Sequence, residues 1–268
     1  MMRFTKLFLP LLPLLIFMLG NAFIYAGSEE AGTSIAIILK EIVFCAVALL
    51  LYRFLFVREL SIDDYTVRLP GARALLGGLC ILPSYILIGD FLSYFVFHWE
   101  LPAEVIPMEE AFTVPFLYML ESSLIAPTLE EICFRMMMVT PYNSKKGKAY
   151  AVIVSSVLFG LLHNGGMERR LGCVLGGFFF AAILLVSKNL LASIMAHGAV
   201  NGLYIVARFI GVKCPKLFFV WPCGRLLGAT WPVWAACILL CAVGVWLLLT
   251  QKRRATQPEP DDSGVIDT

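Results

Sequence analysis

From Leu7 to Tyr25 the chain reads LFLPLLPLLIFMLGNAFIY without one charged side chain, and comparable runs recur until about residue 250. A bilayer's hydrocarbon core needs ~20 mostly apolar residues to cross as a helix. Backbone polar groups in lipid must be satisfied within the segment, so such runs fold as helices or not at all. Eight spans are expected, at about 7–25, 34–57, 72–97, 114–139, 149–164, 171–187, 189–211 and 230–250. The fold class is therefore all-α, a polytopic transmembrane bundle. Composition agrees, with 60% of 268 residues hydrophobic and 15% charged, against about 25% charged in a soluble domain. The first run is longer than the ~7–15 residues of a signal-peptide core and no A-x-A site follows it, so it reads as a retained span.

Lysine and arginine set the expected orientation. With the N-terminus inside, 13 of the 21 basic residues fall on the cytoplasmic side and 6 on the other, with Lys40 and Arg135 left within the membrane. Both termini are expected in the cytoplasm, at the plasma membrane. Basic residues spread in this way form no patch for nucleic acid. Residues 1–254 read as one membrane-embedded domain, and 255–268, acidic and without apolar period, as a disordered tail.

Most of the eight cysteines stand in apolar runs, where a thiol behaves as a small hydrophobe. No zinc-type cysteine spacing occurs. Cys214 and Cys223 share a loop expected outside, where an oxidising compartment can join them. His98 beside Trp99 reads as an interfacial anchor. GGFFF, 176 to 180, reads as small-residue packing followed by lipid-facing phenylalanines.

Against this background "LEEICFRMMM", 129 to 138, is anomalous. An ionisable group at the centre of a bilayer costs about 2.5–3.5 kcal/mol on insertion scales, and this segment carries Glu130, Glu131 and Arg135. Glu131 and Arg135 are four apart and share a helix face. Glu130 is turned ~100° away from Glu131, which leaves one carboxylate for Arg135 and one for other work. Pro127 lacks an N–H, frees a carbonyl upstream, and marks a kink.

Two of the three histidines, His163 and His197, lie in or at the end of expected spans. Phe159 precedes His163 by four residues, and Asn201 follows His197 by four, so each pair shares a face. Two imidazoles and a carboxylate can hold zinc with an open position for water: Glu130, His163 and His197. The same groups can act without metal. Glu130 with His163 then takes a proton from water, while His197 and Asn201 hold an oxyanion. Asn201 is a poor zinc ligand, and Glu131, the one spare carboxylate able to orient an imidazole, is claimed by Arg135. Both points favour the metal-free scheme. Taken alone, the charged trio also reads as an ion-pair network, His163 as a helix-end residue, and His197 with Asn201 as an interhelical hydrogen-bond pair. Counted from the expected span ends, Glu130 and His197 lie ~12–14 Å from the cytoplasmic side and His163 ~21 Å, an awkward spread for one site.

Glu130-Glu131-x-x-x-Arg135, Phe159-x-x-x-His163 and His197-x-x-x-Asn201, in this order on separate spans, resemble the CPBP family of CAAX-processing and bacteriocin-processing intramembrane proteases. The resemblance covers about residues 110 to 210. It implies an endopeptidase of helical transmembrane fold acting on a membrane-associated peptide or protein. Glu130 would be the essential glutamate, His163 its partner, and His197 and Asn201 the third motif, with Glu131, Arg135 and Phe159 supporting. Two other classes fit the bare composition. A proton- or ion-coupled transporter would show inverted repeats, and none is visible. A non-catalytic immunity or partner protein would not need every motif residue.

Overall fold

The computed structural model describes residues 69–91, 119–163, 167–213 and 231–255, with scattered helical positions between 39 and 50. Six helices emerge, and no strand occurs among the described residues. They are α1 (Ala72–Phe91), α2 (121–137), α3 (Lys145–Leu161), α4 (Met167–Ser187), α5 (Leu190–Lys213) and α6 (Trp231–Ala255). These fall on the last six expected spans. The spans at 7–25 and, for the most part, 34–57 lie outside the described residues, as do His98, Cys214, Cys223 and the tail beyond 255. Among the described residues one helix is, by length and composition, long and apolar enough to cross a membrane, over Arg169–Ser187. Ala72–Pro83, Leu190–Leu203 and Ala235–Thr250 are shorter apolar helices.

α2 is not a regular helix. A π-helical turn, Glu121–Ile125, leads into α-helix at Ala126–Glu131, followed by a second π-helical stretch at Ile132–Met137. Pro127 explains the first. In the π register a residue bonds back five positions, as Ala126 N–H does to the Glu121 carbonyl. Pro127 has no N–H to offer the Ser122 carbonyl. Asn201 on α5 donates its side-chain N–H to that oxygen instead, at 2.9 Å. The kink expected at Pro127 is thus a π-helical insertion, a form that often marks functional sites.

α5 stands at the centre, packed on α1, α2 and α4, while α3 lies along α4 and α6 along α1. Glycines set the closest approaches. A Cβ on Gly198 would lie 2.2 Å from the Ser123 carbonyl oxygen, and one on Gly160 would lie 2.4 Å from the Arg170 carbonyl. Between α4 and α5 only Lys188 and Asn189 intervene. Lys188 takes φ 55°, and the Asn189 side chain accepts from Leu191 N–H at 2.9 Å, capping α5.

The polarity of the molecule is inverted relative to a soluble protein. Ile238, Leu239 and Trp246 are more than 60% exposed, whereas Glu131, Arg135, Ser155, Ser156 and Ser193 are fully buried. Apolar surface on this scale is what a lipid environment covers.

Candidate active site

Each motif of the sequence delivers one side to a common centre. α2 supplies Glu130 and Glu131, the end of α3 supplies His163, and α5 supplies His197. Glu130 lies between the two imidazoles, its Oε2 3.5 Å from His197 Nε2 and its Oε1 3.9 Å from His163 Nε2. Glu130 and His163 keep 17% and 22% side-chain exposure, while Glu131 has none. The accessible carboxylate is the one free of Arg135, as the 100° rotation requires.

Both imidazoles are held from behind. His163 Nδ1 lies 2.6 Å from the Phe159 carbonyl oxygen. A carbonyl can only accept, so Nδ1 carries the proton and Nε2 faces Glu130 with its lone pair. The four-residue spacing of Phe159 and His163 has a direct cause here, since the ring satisfies a carbonyl at the helix end. His197 Nδ1 meets Glu131 Oε1 at 3.1 Å. With Arg135 and His197 both claiming it, Glu131 acts as an acceptor, which fixes the same tautomer on His197.

Arg135 is fully buried, with Nε 3.3 Å from Glu131 Oε2. The contact is an ion pair without the alignment of a hydrogen bond, and neither Nη atom has a hydrogen-bond partner. Its guanidinium lies 5.0 Å from the Phe159 ring centre and 6.0 Å from that of Phe134, a cation–π arrangement. Phe159 also meets His163 edge-on at 4.5 Å and His197 at 5.6 Å. One ring therefore touches three members of the site.

The ~9 Å spread in depth closes for two reasons. The segment after α2 stays inside the protein, with Met137 to Thr140 all at or below 1% exposure, so the chain reaches solvent only near Asn143. Side chains also tilt toward their own helix N-terminus, and on the oppositely directed α2 and α3 those tilts bring Glu130 and His163 together.

Two functional contacts had no motif to announce them. Phe180 stacks on His197, centroids 4.3 Å apart and planes within 17°. It is 2% exposed, so the GGFFF run does not present all three rings to lipid; of them only Phe178 is exposed. Three consecutive residues sweep 200° of a helix, so one of the three had to turn inward. Ser193 donates to Glu131 Oε2 at 2.6 Å. Its place one turn before His197 was a readable signal. Asn201 faces Ser122, and its amide has a second N–H beyond the one given to that carbonyl.

The donor set can be tested against a metal. Among the described residues no group of three or more His, Cys, Asp or Glu is arranged to hold one. The cause is visible in Glu130, whose two oxygens face different imidazoles instead of converging with them on one point. Partners of the kind that fix imidazole tautomers at metal sites are present as the Phe159 carbonyl and as Glu131, which serves His197 while also paired with Arg135.

Residues 112–203 match the family model described as Type II CAAX prenyl endopeptidase Rce1-like. The match falls on the segment whose motifs resemble the CPBP family. All three CPBP motifs lie inside the match, and the four side chains nearest the centre come from them. A Bacillus subtilis (strain 168) protein named "Putative membrane peptidase YdiL" is 30% identical over 97 residues, 36% of this chain and 39% of that protein. An "Uncharacterized protein" of Mycoplasma capricolum subsp. capricolum is 34% identical over 93 residues, 34% of this chain and 27% of that protein. The chain thus spans well under half of either relative. No solved structure matches it. The apolar outer surface of the described helices agrees with an integral membrane protein.

Proposed function

We propose that the protein is an intramembrane endopeptidase of the CAAX-processing type, hydrolysing a peptide bond of a membrane-associated substrate with a water activated by Glu130. The observation that carries this reading is Glu130 between two histidines of fixed tautomer. At 3.9 Å, Glu130 Oε1 and His163 Nε2 are too far apart for a direct bond and well spaced for a shared water. That water donates one proton to the carboxylate and one to the imidazole lone pair, leaving its oxygen free to attack.

The steps then balance. Water oxygen adds to the scissile carbonyl as Glu130 takes the proton. The oxyanion that forms is met by His197 Nε2–H and the free N–H of Asn201. His197 can donate from Nε2 only as the imidazolium, because Nδ1–H is committed to Glu131. The buried Glu131 carboxylate stabilises that cation, the role an acid plays behind a catalytic histidine. Collapse of the intermediate breaks the C–N bond, and Glu130 returns its proton to the leaving amine. No step needs a metal, and none is routed through one.

The family resemblance extends the proposal to substrates bearing a C-terminal CAAX sequence with an isoprenyl group. The test is cleavage of a fluorogenic farnesylated CAAX peptide by the full chain in detergent. Wild type should cleave it, and Glu130→Ala should lose at least about a hundredfold in kcat, the lower range of a general base's contribution. Wild-type rates in Glu130→Ala would end the assignment.

A further inference from the structure

Buried arginine and carboxylate ordinarily meet as a fork, two parallel N–H···O bonds. Arg135 and Glu131 do not, although both are fully buried and one helical turn apart. Only Nε approaches, and both Nη atoms stay without a hydrogen-bond partner. Something holds the carboxylate away from the better geometry. His197 takes Oε1 at 3.1 Å. The shorter contact, 2.6 Å to Oε2, comes from Ser193.

The Ser193 hydroxyl has two acceptors in reach, Glu131 Oε2 and the Phe180 carbonyl oxygen at 2.9 Å. Its single proton goes to Glu131. The carboxylate is charged and nearer, and the opposite choice would set two oxygen lone pairs against each other at 2.6 Å. Ser193 is itself fully buried, so no water replaces it. It stands one turn before His197 on α5, on the same face, and thus fixes Glu131 in the position that serves His197.

We propose that Ser193 is a positioning residue whose hydroxyl restrains Glu131 on His197 and thereby sets the tautomer of that imidazole. Its bearing on hydrolysis rests on the reading of Glu130, His163 and His197 given above. Without the hydroxyl, Glu131 turns into the fork that Arg135 offers, His197 Nδ1–H loses its acceptor, and the ring becomes a mixture of tautomers. The imidazolium that the reaction calls for then lacks the carboxylate that stabilises it, and the ring is free to turn Nε2 away from Glu130.

Nitrogen-15 histidine spectra of the full chain in detergent test this directly, because the protein has three histidines and His197→Gln assigns the resonance. Wild-type His197 should show a proton held on Nδ1. Ser193→Ala and the volume-matched Ser193→Cys should both show mixed tautomers, and Ser193→Thr, which keeps a hydroxyl, should restore the wild-type pattern. On the farnesylated peptide kcat should fall about tenfold or more in the first two, with KM within about twofold. An unchanged His197 pattern in Ser193→Ala overturns the proposal. So does Ser193→Cys behaving as wild type, or loss in all three variants alike, since bulk would then be what matters. Should wild type cleave nothing, or Glu130→Ala cleave normally, the hydrolytic reading fails while the spectra still decide what Ser193 holds.

Discussion

Gly198 and Gly202 form a G-x-x-x-G pair on α5, and such pairs usually let two membrane helices approach at both glycines. Here the two are unequal. A Cβ on Gly198 would sit 2.2 Å from the Ser123 carbonyl oxygen, whereas one on Gly202 would meet Ser123 Oγ at 3.4 Å and its Cβ at 3.8 Å, ordinary contacts. Gly198→Ala must therefore drive α2 and α5 apart by about 0.8 Å, from 2.2 Å to the 3.0 Å below which real contacts do not go. Overpacking of this kind costs about 1–3 kcal/mol. The same movement stretches the Asn201–Ser122 bond, which leaves a half-buried carbonyl short of its donor at up to a further ~1 kcal/mol. The total is about 1–4 kcal/mol for Gly198→Ala and close to nothing for Gly202→Ala. Reversible unfolding in mixed detergent micelles, wild type against each variant, measures both. Equal losses at the two glycines, or a larger loss at Gly202, would show that the Ser123 carbonyl does not lie against Gly198.

Glu131→Gln and Arg135→Met each strand the opposite charge inside the protein and should destabilise by about 3–5 kcal/mol in the same assay, while the double variant should recover much of that loss. Phe180→Leu keeps an apolar side chain but removes the stack on His197, and should lower kcat with little change in yield; unchanged kcat would reduce the ring to packing. Activity should survive dialysis against a membrane-compatible chelator, and added zinc should inhibit by engaging the two Nε2 atoms. Stoichiometric zinc by elemental analysis, with activity lost on chelation and restored by metal, would replace the glutamate scheme.

The legible and illegible parts of this protein divide by the range of the interaction. Helical spacing alone separated Glu130 from Glu131 and paired Phe159 with His163, because those relations live within one turn. Pro127 announced an irregularity, since a missing N–H is a local fact. What no single segment carries is the partner on another helix. Ser193 and Glu131 are 62 residues apart and Asn201 and Ser122 are 79 apart. Their pairing depends on how α5 is rotated against α2, which hydrophobicity does not encode when every face is apolar. Phe180 was hidden for the same reason. A phenylalanine facing lipid and one facing a histidine look alike in an apolar run.

The two-residue link between α4 and α5 has a consequence for how this chain can vary. Lys188 and Asn189 leave no slack, and the Asn189 cap fixes the angle at which α5 begins. Ser193, His197 and Asn201 follow at intervals of four, so all three inherit that starting angle. One residue inserted after Asn189, within the first turn of α5, would turn the row by ~100° and carry it off Glu131 and Ser122 together. An insertion of four would restore the angle to within ~40° but displace the row by ~6 Å along the axis. Neither leaves a working centre, so the chain tolerates no change of length at the start of α5.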